Sequence, residues 1–125
     1  MQIVAKKALV LVAEDDTTTN RIYAEALRKA GYDVATATSG VDCLRRLYTD
    51  KIDVLILDLM MPGVSGWDVL HVKSHDARIA LIPVIVITGL EARAARNKPL
   101  EGVSLILEKP FSIEKLLHAL YRLLP

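Results

Sequence analysis

Val54-Leu55-Ile56-Leu57-Asp58 is the stretch that decides the fold: four consecutive branched apolar residues closed by a carboxylate. A strand with one face in water alternates apolar and polar residues. A continuous apolar run is covered on both faces, as in a parallel sheet flanked by helices. Four more apolar runs lie on either side of it, at Ala8–Ala13, Val34–Ala37, Val84–Ile87 and Val103–Leu107. The first and fourth are as continuous as the central one. The second, within Asp33–Thr38, alternates more, as an edge strand does.

Helical spacing fills the intervals. Ile22, Ala26, Leu27 and Ala30 recur with helical period, Thr17 to Thr19 and Asn20 offer caps at the start, and Gly31 marks the end. Val41, Leu44, Leu47 and Tyr48 give a second helix capped by Ser39, and Gly66 to about His75 a third. Glu91 to Asn97 reads as a short fourth helix, stopped before Lys98-Pro99 because a residue preceding proline disfavours helical geometry. In the last helix Ser112 is the cap, Glu114 lies in the first turn, and Ile113, Leu116, Leu117 and Leu120 line one face. The order is β-α repeated five times. Strands joined by crossover helices run parallel with right-handed connections, so an open, doubly wound α/β sheet follows. With 125 residues, the chain is too short for a closed eightfold barrel. It reads as one domain over residues 1–125 with a core over about 8–124.

Composition narrows the function classes. Lys and Arg total 16 against 15 Asp and Glu, which leaves no electrostatic footprint for nucleic acid or an anionic membrane. No apolar run approaches the roughly 20 residues that span a bilayer, and the first one stops at Glu14-Asp15-Asp16 without a cleavage site. A single cysteine, Cys43, fits a reducing cytoplasm and reads as a small residue packed in its helix.

In a parallel sheet all carboxyl ends share one edge. After the first run come Glu14, Asp15 and Asp16; after the third, Asp58; after the fourth, Thr88; after the fifth, Lys109. Ligands of open α/β folds bind along that edge, where the strand order switches. Clustered carboxylates repel one another unless a cation intervenes, and oxygen donors beside a phosphate suit Mg²⁺. No His or Cys stands at these strand ends, which argues against zinc there. An aspartate can attack phosphorus to form an acyl phosphate, with a lysine and a hydroxyl neutralising the phosphoryl oxygens. Taken singly, each residue has a plainer reading as a helix cap or a solvated charge. Four strand ends with complementary chemistry do not.

Together these motifs resemble the response-regulator receiver domain of two-component signalling. The matching text is Val10-Leu11-Val12-Ala13-Glu14-Asp15-Asp16, then Ile56-Leu57-Asp58-Leu59-Met60-Met61-Pro62-Gly63 with Gly66. It continues with Pro83-Val84-Ile85-Val86-Ile87-Thr88-Gly89 and Glu108-Lys109-Pro110-Phe111. Asp15 lies 43 residues before Asp58, and Thr88 lies 21 before Lys109. The resemblance implies a flavodoxin-like sheet of order 2-1-3-4-5. It implies that Asp58 accepts a phosphoryl group from the histidine of a sensor kinase or phosphotransfer protein, so that the chain is a substrate aiding its own modification rather than a turnover enzyme. Glu14, Asp15, Asp58 and the backbone carbonyl of Met60 would hold Mg²⁺, and Thr88 and Lys109 would engage the phosphoryl oxygens. A cis Lys109–Pro110 peptide is implied as well.

Three departures stand out. Where the family usually has Tyr or Phe, three residues before the lysine, this chain has Ile106; the aromatic half of the usual switch is missing, and the plain alternative is that Ile106 packs against a helix. The Thr88–Lys109 interval is one residue short and holds Pro99, which alters the region the family often uses for output. Met60 and Leu90, two residues beyond Asp58 and Thr88, are bulky and apolar, so loss of a phosphoryl group should be slow. Trp67 reads as a packing residue in the loop after Asp58, and His118 as exposed. His71 and His75 have a metal-like spacing, but without a third ligand in view the expectation is a solvated face.

Two other functions remain open on sequence. One is a phosphorylation-independent interaction module on the same fold, with the region around Ile106 contacting a downstream protein or output domain. The other is a phosphatase-like enzyme, disfavoured because such enzymes often carry a second Asp where Met60 stands. The sequence accommodates both a complete regulator and one receiver unit of a longer chain.

Overall fold

The computed structural model describes residues 7–89 and 100–124. The expected helix at Glu91–Asn97, Leu90 and Pro99 lie outside the described residues. Five strands, β1 (Leu9–Ala13), β2 (Asp33–Ala37), β3 (Val54–Asp58), β4 (Val84–Thr88) and β5 (Leu105–Glu108), form one sheet. Its order is β2-β1-β3-β4-β5, with every neighbouring pair parallel. Four helices are described: α1 (Thr17–Lys29), α2 (Gly40–Thr49), α3 (Gly66–Ser74) and α4 (Ile113–Leu123). None of the described helices is long and apolar enough to cross a membrane.

The continuous apolar runs divide their residues between two layers. Leu11, Leu55, Leu57, Val84 and Val86 pack with Cys43 and Leu47 of α2 and Val69 and Leu70 of α3. The alternate residues Val10, Val12, Val54, Ile56, Ile85 and Ile87 pack with Leu27 of α1 and Leu116 and Leu120 of α4. Every residue of β3 and β4 is buried. Each such Val, Leu or Ile contributes roughly 1.5–3 kcal/mol by leaving water, so the central strands are the most costly to alter. Leu55→Ala would cost about 2–5 kcal/mol through the cavity it leaves.

The two edges differ from the centre as expected. β2 is only partly covered, and β5 buries Leu107 alone. β5 begins at Leu105 rather than Val103: at Ser104 the N–H bonds the Val84 carbonyl of β4 at 2.9 Å, but the Val84 N–H is taken by the Ser104 hydroxyl at 3.2 Å rather than by a strand carbonyl.

Four helical readings need correction. The cap of α1 is Asp16, not a threonine: its carboxylate accepts from the Thr18 N–H at 3.1 Å and from the Thr19 hydroxyl at 2.8 Å. The buried stripe of α1 is Asn20, Ala24 and Leu27, while Ile22 and Ala30 are exposed. In α2 the stripe is Gly40, Cys43 and Leu47, with Val41 and Tyr48 exposed. In α1 the polar Asn20 faces the strand ends to donate to their carbonyls, and in α2 Gly40 is required by the close approach of the Val64 backbone. A Cβ on Gly40 would stand 2.1 Å from the Val64 carbonyl oxygen. Trp67 belongs to α3 rather than a loop, and it packs against the α2–α3 layer. Ser39, Ser65 and Ser112 cap their helices, Ser65 reciprocally with Asp68.

Candidate functional site

Glu14, Asp15 and Asp58 meet at the carboxyl ends of β1 and β3, each offering an oxygen within 4.8 Å of the others. Glu14 and Asp58 are buried and Asp15 is half-buried. Parallel register produces this convergence: Ala13 pairs with Leu57, so the residue after each lies at the same edge.

The backbone around each acid is fixed by identifiable residues. The Asn20 amide donates to the carbonyls of Glu14 and Ala37, both at 3.0 Å, and reaches Val12 O at 3.4 Å. It thereby ties the ends of β1 and β2 and holds the Glu14 backbone. Sequence reading took Asn20 for a capping residue; the signal it passed over was a polar residue at a position of α1 that should face the sheet. Gly66 starts α3 against the Asp58 backbone, where a Cβ would lie 2.5 Å from Asp58 O. Its N–H bonds the Leu59 carbonyl at 2.9 Å. Asp58 Oδ1 accepts from the Met60 N–H at 2.9 Å.

Lys109 arrives from the far edge of the sheet. Its Nζ stands 3.0 Å from Asp58 Oδ2 and 3.6 Å from Glu14 Oε1. The Lys109–Pro110 peptide is cis. Burial alone would lower the ammonium's pKa, but Asp58, and then Glu14, outweigh it and raise it. One ammonium does not satisfy the acids. Burial first, and then the adjacent Asp58 carboxyl, push Glu14 up to about 8, the mark of a carboxylate short of positive charge.

Thr88 is buried at the end of β4 on the same edge, but its hydroxyl donates to the Gly89 carbonyl at 3.2 Å rather than to the acids. Met60 is half-exposed beside the cluster. Ile106 is also half-exposed, on the edge strand β5. His118 is exposed.

This donor set fits a hard divalent cation. All three side chains offer oxygen, the burial is incomplete at Asp15, and burial beside Asp58 disfavours the charged form of Glu14 until more positive charge arrives. What the fold and the cleft define is an α/β domain of the doubly wound class with an acidic cluster at the carboxyl edge of its sheet. A family model described as the response regulator receiver domain matches residues 10–121. The chain belongs to that family, the receiver domains of two-component signalling.

Among curated relatives, the probable transcriptional regulatory protein SilR of Salmonella typhimurium is 34% identical over 109 residues, which are 86% of this chain and 47% of SilR. The chain thus spans about half the length of that relative. Among solved structures, the chemotaxis response regulator CheY4 of Vibrio cholerae is 28% identical, with a TM-score of 0.85 over 95% of this chain and 100% of CheY4. The receiver domain of sensor histidine kinase PA1611 from Pseudomonas aeruginosa, described with a magnesium ion coordinated in its active site cleft, shares the fold. It has a TM-score of 0.85 at 23% identity, over 94% of this chain and 97% of that one.

Proposed function

We propose that the chain is a phospho-accepting switch in which Asp58 takes a phosphoryl group from the phosphohistidine of a sensor kinase or phosphotransfer protein. The observation that carries this reading is the placement of Lys109 Nζ 3.0 Å from an Asp58 carboxylate that shares a cleft with two further acids. Membership in the receiver family supports it.

Glu14, Asp15, Asp58 and the Met60 backbone carbonyl would hold Mg²⁺, and the same fold accommodates that ion in the PA1611 receiver domain. When bound, the ion supplies positive charge that neutralises the carboxylates and the phosphoryl oxygens. The chain's own residues do the rest. The Met60 N–H fixes one oxygen of Asp58 and Lys109 the other, which orients the carboxylate for attack on phosphorus. As the O–P bond forms and the N–P bond to the donor imidazole breaks, negative charge moves outward from the aspartate onto the phosphoryl oxygens. Lys109, on a long half-exposed stem, follows that charge. Thr88 would turn its hydroxyl from Gly89 O to a phosphoryl oxygen, drawing the β4 end toward Asp58. The chain aids its own modification and is not a turnover enzyme.

A downstream protein or output domain would read the change near β5, where Ile106 is exposed. Without the usual aromatic there, the signal would pass through the loops beyond β4 and β5. A phosphorylation-independent interaction module would have no use for buried, undercompensated acids, which cost stability.

Incubation with Mg²⁺ and acetyl phosphate decides between the two. Wild type should gain about 80 Da, the mass of one phosphoryl group, and Asp58→Asn should not. No gain in wild type would refute the proposal, and turnover of an unrelated phosphoester would point to the phosphatase-like enzyme instead.

A further inference from the structure

His71 and His75 acquire in the structure the third ligand that the sequence did not reveal. Glu101, 30 residues along the chain from His71, brings Oε2 to 3.3 Å from His71 Nδ1. One ligand atom from each of His71, His75 and Glu101 lies within 4.8 Å of the other two. The cluster sits where α3 ends and the chain approaches β5, at the amino ends of the strands, so the length of the strands separates it from the acids at the carboxyl edge.

We propose that His71, His75 and Glu101 form a second cation site, for a divalent transition metal of the zinc class. Two imidazoles and a carboxylate are a donor set that zinc takes readily, and the nitrogen donors select against Mg²⁺ and Ca²⁺. With metal–ligand bonds of about 2.0–2.1 Å, ligand atoms in a tetrahedral site lie about 3.3 Å apart. The His71–Glu101 separation already has that value, while it is longer than a good N–H···O hydrogen bond.

Spacing and outer contacts favour the same assignment. Residues four apart on a helix share a face, and the two rings lie 4.4 Å apart at 40°. The His75 Nδ1 is 2.8 Å from the His71 carbonyl. An Nδ1–H donated there fixes the tautomer whose Nε2 carries the lone pair, as outer-shell carbonyls do for metal-bound histidines. The Ser74 hydroxyl lies 3.2 Å from Glu101 Oε2 and steadies the carboxylate. His71 is mostly exposed, so an ion can enter, and three protein donors leave a fourth position for water or a partner's side chain. Bound there, the ion clasps the segment before β5 to the end of α3.

The test is titration of the whole chain with Zn²⁺ in millimolar Mg²⁺, followed by competition with a chromogenic chelator, and separately titration with Co²⁺. Wild type should take one Zn²⁺ per chain and give the visible absorption of tetrahedral cobalt. His71→Ala, His75→Ala and Glu101→Gln should each weaken zinc about tenfold or more and abolish the cobalt bands. Unchanged melting of the variants in EDTA would show that they fold. Wild type that takes no zinc, or zinc and cobalt binding that survives His71→Ala and His75→Ala, would overturn the proposal. Phosphorylation at Asp58 is not read in either titration, so failure here leaves the function proposed for the carboxyl edge untouched, and failure there leaves this site untouched.

Discussion

Two acidic groups of this molecule, Asp76 beyond α3 and Glu14 at the end of β1, stand at opposite extremes of electrostatic completion. Asp76 is fully answered by its own neighbours. Its carboxylate accepts from the Arg78 Nε at 3.1 Å, the Arg78 Nη2 at 2.8 Å, the Arg78 backbone N–H at 3.0 Å and the Tyr48 hydroxyl at 2.6 Å. The Arg78 guanidinium, and then Tyr48, hold it well below the usual carboxylate range. Glu14 accepts from the Asp16 N–H at 3.3 Å and shares Lys109 at 3.6 Å, but it is buried against the carboxyls of Asp58 and Asp15 and is pushed up to about 8. A completed cluster has nothing left to bind. An incomplete one, its backbone held by Asn20 and Gly66, is where a cation would bind on the proposed function.

The largest effect should come from removing Lys109, the cation that the described residues place against the acids of the carboxyl edge. On the proposed function, Lys109→Met deletes the charge that follows the phosphoryl oxygens. A single preorganised group of that kind contributes about 10²–10³ in rate. The rate of mass gain from acetyl phosphate should therefore fall about a hundredfold or more, while Asp58 remains the modified residue. A rate within threefold of wild type would mean that Lys109 only neutralises the resting acids.

Next comes Glu14→Gln, which separates binding from stability. In the fold the Glu14 carboxyl titrates near 8, against 4.5 for the ordinary group. Between those values the folded chain holds a proton that the unfolded chain releases. Stability is then full below about pH 4.5 and declines as pH rises through 8, by an amount on the order of a few kcal/mol. In EDTA, Glu14→Gln should melt with wild type near pH 5 and above it near pH 8. Magnesium should protect wild type more than the variant, whose Mg²⁺ affinity should be about tenfold weaker, a difference of roughly 1.4 kcal/mol. Parallel stability profiles of the two proteins from pH 5 to 8 would show that Glu14 carries no such deficit.

The same contrast marks what could be read before any coordinates existed. The parallel sheet and the shared edge of Glu14, Asp15, Asp58, Thr88 and Lys109 were legible because the alternation of strand and helix is a local pattern and parallel strands place all their ends together, while the strand order came from the family resemblance. The buried faces of α1 and α2 were misread, since apolar periodicity cannot show where backbone comes too close for a side chain, as at Gly40, or where carbonyls need a donor, as at Asn20. The direction of the Thr88 hydroxyl depends on a rotamer, and the pairing of His71 with Glu101 on a contact across 30 residues. Neither leaves a trace in sequence spacing.

The smallest effect is expected at the completed cluster. Asp76→Asn removes a near-surface carboxylate whose partners lie close to water, so the melting temperature should change little. Phosphorylation and Mg²⁺ affinity should match wild type. The informative readout is Tyr48. Its hydroxyl is held above the ordinary value of 10.0 first by the hydrogen bond it gives to Asp76, then by desolvation and by the charge of that carboxylate. Arg78 also stacks over the Tyr48 ring, 4.7 Å from its centroid, and favours the tyrosinate. With Asp76 neutral and Arg78 still in place, ultraviolet titration should find Tyr48 ionising at lower pH than in wild type. If Asp76→Asn instead weakened magnesium binding, the two acidic groups would be coupled through the α2–α3 layer. The distinction between a finished cluster and an unfinished one would then fail.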